Sequence, residues 1–189
     1  MRIGNESYAR SNNSFGATTL RKRHVAVKAQ SVYFDYIGKS GKAQSLKIED
    51  RRLARVVRHC LDEPGAHLFD YVDDLGGRRA ITSSDVNAYL REASGGDFTA
   101  KHFRTWGASV LALDVLLASD EMITIKSLLD PVAKALGNTP AIARKSYVHP
   151  LVIALVDKPK KTERLRNTIP RPASLLTGTE RALLQLLKV

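Results

Sequence analysis

The side chains of this chain that could do chemistry are cationic and phenolic, not acidic or thiol. Arg2, Lys39, Arg104 and Tyr147 stand in four separate stretches of the sequence. A guanidinium grips oxyanions with a planar fork, an ammonium can donate a proton, and a tyrosine oxygen can act as a nucleophile. Spacing alone does not join the four, because any basic chain supplies such residues. The exclusions are sharper. There is no HExxH, no phosphate loop ending in Gly-Lys-Ser/Thr, no GxSxG and no acid pair suited to metal-dependent hydrolysis. Cys60 is the single cysteine, which removes intramolecular disulfides and Cys-cluster metal sites, and the five histidines lack ligand spacing.

The charge balance points to a polyanion. The chain of 189 residues carries 30 Lys+Arg against 19 Asp+Glu, a formal net charge of +11. Such a surplus favours nucleic acid without proving it, since a structural RNA-binding protein would show the same figure. No apolar stretch approaches 20 residues and no apolar leader follows Met1, so a cytoplasmic, non-membrane, monomeric protein is expected. A chain of this length can bury a core without disulfides or metal.

The elements that must position these residues change character at residue 50. The first 45 residues hold eight basic and two acidic side chains and show little helical periodicity. Alternation at Val25/Val27 and Val32/Phe34/Tyr36 predicts strands over 24–29 and 31–37, and 43–48 fits a third, giving a small antiparallel sheet over about 24–48. Gly38-Lys39-Ser40-Gly41 then forms the turn and holds a lysine at its tip.

Beyond residue 50 the period becomes helical. Leu53, Val56, Val57 and Cys60 fall on one stripe, and Val86, Tyr89, Leu90 and Ala93 on another behind a Thr82/Asp85 capping box. A long helix is expected from a Thr99 cap to about Ala118, burying Phe103, Trp106, Val110, Leu113 and Leu117. Another covers about 124–136 and stops at Gly137. Thr139-Pro140 opens a short helix through Tyr147, and His149-Pro150 breaks or restarts it. Residues 157–171 hold six basic and two acidic side chains among prolines, which predicts an extended basic linker before a short terminal helix over 180–187. A sheet followed by helices is an α+β pattern, with residues 1–156 as the functional part (helical over about 50–156) and 157–189 as a tail.

Four blocks add a resemblance. "RIGNESYARSNNSFGATTLRKRHV", "YIGKSGK", "DVNAYLREASGGDFTAKHFRTWGASVLA" and "LGNTPAIARKSYVHP" resemble, in order and spacing, the catalytic domain of small bacterial and viral type IB DNA topoisomerases over about residues 1–156. The resemblance implies the mainly helical fold of DNA breaking and rejoining enzymes. It also implies supercoil relaxation on double-stranded DNA through a 3′-phosphotyrosyl link, with no ATP, metal or other cofactor.

On that resemblance Tyr147 in "RKSYVHP" matches the nucleophile, and Arg104 in "KHFRTWG" an arginine that clamps nonbridging phosphate oxygens. Arg2 of "RIGN" matches the second clamping arginine. Lys39 matches the general acid that protonates the leaving 5′-oxygen, with Lys42 its neighbour in the same turn. Asn138 of "LGNTP" stands where many relatives have His; its amide can donate to a phosphate oxygen but cannot become cationic. Lys101 matches a phosphate-region lysine one turn before Arg104. Arg144 and Lys145 can pair with phosphates or form a solvated cluster, and Tyr8 and His24 either touch DNA backbone or pack.

Resembling enzymes carry a further amino-terminal lobe, mostly β, that closes over the other side of the duplex, so dependence on such a lobe belongs to this reading. Alternatives stay open. A tyrosine recombinase uses similar chemistry but would favour His-x-x-Arg where this chain has Lys101-x-x-Arg104. A noncatalytic DNA-binding remnant would bind duplex without forming an adduct.

Overall fold

Alternating apolar residues in the first third of the chain become a three-stranded antiparallel sheet, β1 (Val25–Lys28), β2 (Ser31–Ile37) and β3 (Ala43–Glu49), in the order β1-β2-β3. The computed structural model describes residues 1–119 and 121–188. Its Cα framework divides into two compact units, Met1–Ala100 and Lys101–Val189. In the first unit the period-2 pattern of the central strand turns Val32, Phe34 and Tyr36 inward. Helix α2 (Arg51–Asp62) packs on that face through Ala54 and Val57, and Asp50 caps it by accepting the Leu53 amide at 2.8 Å. Val56, expected on the buried stripe, is exposed instead, leaving the arginine-rich side of α2 in solvent with it.

Three further features of this unit depart from the sequence reading. Residues Glu6–Asn12 form a helix, α1, capped by Asn5 accepting the Tyr8 amide at 2.9 Å. Seven residues give too short a periodic signal to be read, and tertiary contacts supply the stability. A second antiparallel pair, β4 (Asp70–Val72) with β5 (Arg78–Ala80), closes around Asp73, whose carboxylate accepts the amides of Leu75 and Gly77 and the Arg79 Nε. Helix α3 (Ser83–Ser94) has the expected Thr82/Asp85 capping box but buries none of its residues, so Tyr89 lies on its solvent side.

The second unit is helical: α4 (Ala100–Ala118) is its spine, followed by α5 (Ile125–Leu136), α6 (Pro140–Ser146), α7 (Pro150–Ile153), α8 (Pro159–Asn167) and α9 (Gly178–Leu187). Ala108, Ala112, Leu113, Leu116 and Leu117 of α4 meet Leu128, Val132, Val148, Val152 and Leu155 in one core. Trp106 and Val110 border that core as expected, but Phe103 is 59% exposed. It lies on the first turn of α4, off the helical stripe that Ala108, Ala112 and Leu116 define.

The expected extended linker is the largest correction. Pro159 starts α8 at the one helical position where a missing N–H costs nothing. Thr162 is buried and donates to the Leu155 carbonyl at 2.9 Å, and Arg166 donates to the last carbonyls of the α4 end, Leu117 at 3.0 Å and Ser119. Helix α9 then contributes Ala182, Leu183 and Leu186 to the core. Helices α8 and α9 are therefore packed structure within the second unit. Among the described residues no helix is long and apolar enough to cross a membrane.

This packing predicts that Leu183→Ala, at a site with no solvent exposure, lowers the unfolding free energy by ~2–5 kcal/mol in urea melts. A loss within about 0.5 kcal/mol, the level of a surface substitution, would contradict an integral α9.

Candidate active site

In the second unit two of the expected site residues, Arg104 and Tyr147, stand together. Its guanidinium donates to the Leu136 carbonyl at the end of α5, and its Cζ lies 5.2 Å from the centre of the Tyr147 ring. Helix carbonyls at a C-terminus carry partial negative charge and hold a cation well, and the face of an aromatic ring does the same. Arg104 thus links the α5 end to the residue that follows α6.

Local sequence explains how that end is shaped. Gly137 takes the left-handed conformation (φ 61°), and the Asn138 amide reaches back to the Ala133 carbonyl at 2.9 Å, a Schellman closure. Thr139 immediately caps α6 by accepting the Ile142 amide, with Pro140 in its first turn. Asn138 is therefore pinned, half-buried, between two helix ends and two residues from the carbonyl that holds Arg104. Helix α6 stops at Ser146 because His149, before Pro150, must be extended (ψ 135°). Tyr147 and Val148 both donate to Ala143, which leaves the half-buried Tyr147 side chain against Arg104.

The comparisons bear on this arrangement. Residues 1–166 match the family described as "Eukaryotic DNA topoisomerase I, catalytic core". The chain belongs to the type IB DNA topoisomerase family. A similar protein is DNA topoisomerase 1B of Acanthamoeba polyphaga mimivirus, 32% identical over 162 residues, covering 78% of this chain and 48% of that one. The chain thus spans about half the length of the curated relative it matches.

The chain carries Arg2 and Lys39, the other two residues expected at the phosphate and the leaving oxygen, in the first unit. Arg2 is half-buried, and its segment is stapled to residues 16–18: Ala17 donates to the Arg2 carbonyl at 2.8 Å and Thr18 to Ile3 through both amide and hydroxyl. Gly16 makes the approach possible, since a Cβ there would lie 2.6 Å from the Gly4 nitrogen and 2.7 Å from the Arg2 oxygen. Lys39 and Lys42 are exposed on the β2–β3 turn, which closes through Gly38 donating to Lys42 at 2.7 Å.

The remaining candidates divide by environment. Lys101, Arg144 and Lys145 are exposed. Arg144 and Lys145 border, with Lys126 and Asp157, a concavity of about 780 Å³ whose lining includes neither Arg104 nor Tyr147. Tyr8 is exposed on α1. His24 packs its ring on Phe15 (centroids 4.4 Å apart) and accepts the Arg21 amide through Nδ1 at 3.0 Å. Burial, and then the charges of Arg23 and Arg21, hold its imidazole below the ordinary 6.5. The structure thus shows His24 packing, with Nδ1 occupied by the Arg21 amide. Among the described residues no group of three His, Cys, Asp or Glu could hold a metal ion.

Of the groups that support these residues, Trp106 is expected at the core, whereas Glu180, Ser109 and the Glu6 cluster give no sequence signal. Trp106, two residues after Arg104, donates to Glu180 of α9 at 3.2 Å, and Ser109 is buried at the α6–α7 junction. In the first unit Glu6 collects Arg21 at 3.0 Å, Arg10 at 3.3 Å and His67 at 3.4 Å, anchoring the helix that follows Arg2. Burial alone would raise the Glu6 carboxyl, but the His67 hydrogen bond and the Arg21 charge outweigh it and leave it below the ordinary 4.5. A depressed carboxylate contributes stability that is present above its unfolded value and is lost as pH falls through the folded one. Unfolding free energy is therefore expected to fall below about pH 4.5 more steeply in the unmutated chain than in Glu6→Gln, measured by urea melts across pH 2–7. Parallel curves would contradict the cluster.

Proposed function

We propose that the chain is the strand-cleaving and rejoining part of a type IB topoisomerase and relaxes supercoiled duplex DNA. The observation that carries this reading is the guanidinium of Arg104 held against the ring of Tyr147. A phosphodiester placed between them would meet a nucleophile on one side and a fixed positive fork on the other.

The Tyr147 oxygen attacks the scissile phosphorus and its proton passes to solvent. A bond forms between that oxygen and phosphorus, the bond to the 5′-oxygen breaks, and the Lys39 ammonium protonates the departing oxygen. Negative charge grows on the nonbridging oxygens in the transition state, where Arg104, the Asn138 amide and Arg2 are the donors that the family resemblance assigns. Fixed cations do here what metal ions do in many nucleases. Rotation about the uncut strand releases torsion, and attack by the free 5′-hydroxyl on the phosphotyrosine reverses the chemistry. Lys42, Lys101, Arg144 and Lys145 supply backbone affinity with strong salt dependence and little sequence preference.

The test is trapping on a duplex whose cleaved end diffuses away, in EDTA. The unmutated chain is expected to form a covalent 3′ adduct and Tyr147→Phe none. Arg104→Ala is expected to slow adduct formation by about 10²–10³-fold. Duplex binding by the unmutated chain with no adduct would overturn the proposal and favour a DNA-binding role alone.

A further inference from the structure

We infer that Ser109 is a positioning residue for strand cleavage, a clamp that sets where the Tyr147 oxygen stands relative to Arg104; this rests on Tyr147 being the nucleophile. Ser109 lies on α4, five residues beyond Arg104, and is 3% exposed. Its hydroxyl oxygen accepts the His149 amide at 3.0 Å. Its single proton serves the Tyr147 carbonyl at 3.3 Å and the Thr105 carbonyl at 3.0 Å.

The segment that Ser109 holds is where one helix closes and the next begins: the Tyr147 amide still bonds the Ala143 carbonyl, whereas the His149 amide bonds Ser109. Tyr147 is the C-cap of α6 and His149 the N-cap of α7, so the Tyr147 carbonyl and the His149 amide flank the junction between the two helices. One hydroxyl ties both groups to the helix that bears Arg104. A buried amide or carbonyl must find a partner, and a serine in a helix interior usually spends its hydroxyl on its own preceding turn. Here the hydroxyl reaches across to the nucleophile's backbone as well. The arrangement couples the Arg104-to-Tyr147 geometry to a side chain that is neither the nucleophile nor the phosphate clamp.

A displacement of about 1 Å in a reacting group can cost about 10²-fold in rate, so a clamp of this kind is visible in kinetics. The experiment measures single-turnover adduct formation by the full 189-residue chain, duplex affinity, folded fraction and amide exchange at His149. Ser109→Ala is expected to cleave about 10–10²-fold more slowly at full folding, with duplex affinity within about twofold. Ser109→Cys fills the site with a thiol that hydrogen-bonds weakly, and is expected to behave likewise. Ser109→Thr keeps the hydroxyl and is expected to restore most of the rate.

A duplex with sulfur in place of the leaving 5′-oxygen separates the roles, because a thiolate leaves without protonation. It is expected to rescue Lys39→Ala and not Ser109→Ala. Cleavage by Ser109→Ala within about twofold of the unmutated chain, rescue by the sulfur duplex, or unchanged His149 protection would each overturn the clamp. If the unmutated chain forms no adduct while Ser109→Ala loses His149 protection, the cleavage reading fails, the positioning role is overturned with it, and Ser109 is a structural hold on the backbone of residues 147–149.

Discussion

A half-buried guanidinium has to be held where it can meet a phosphate, and the second unit is organised around holding Arg104. Its partners are a helix-end carbonyl, Leu136, and an aromatic face, Tyr147. Both present partial negative charge to the guanidinium. The arrangement requires the α5 end, the α6 end and the start of α4 to be fixed against one another within tenths of an ångström. Gly137 shapes the first, Ser109 ties down the second, and Trp106 bonded to Glu180 steadies the third. Helices α8 and α9 follow from the same need, since Arg166 caps the far end of α4 and Leu183 fills the core beneath it.

The first unit meets a different constraint with different means. Arg2 is held by amide-to-carbonyl bonds between its segment and the one after Gly16. Glycine at 16 is a requirement of contact, and the Glu6 cluster with Arg21 and His67 fixes the following helix electrostatically. Lys39 has the opposite setting, an exposed turn between two strands of a sheet whose buried face is complete without it.

Much of this was legible from residue order, and most of the exceptions share a cause. The three strands, α2, and the boundaries around Gly137, Pro140 and Pro150 follow from period, caps and breakers, which act over a few residues. Helix α8 was not legible, because its run of Lys and Arg reads as a solvated linker. Its helicity depends on Thr162 and Arg166 finding carbonyls about seven and 49 residues away. Helix α1 is likewise a short element with distant partners, Arg21 and His67 on Glu6, whereas the β4–β5 pair closes locally around Asp73 over strands of three residues each. The position of Arg104 and Tyr147 was readable through their motifs, whereas Ser109 was not. A serine in an alanine-rich helix carries no mark of the loop it will bind.

The central claim is that a phosphate becomes linked to the Tyr147 oxygen beside Arg104. Peptide mapping by mass spectrometry of the protease-digested DNA adduct tests it most directly. The account predicts a nucleotide joined through its 3′-phosphate to Tyr147 in the peptide that spans residues 146–158. A 5′-phosphate linkage, or attachment at Ser146, Tyr8 or any other hydroxyl, would contradict it.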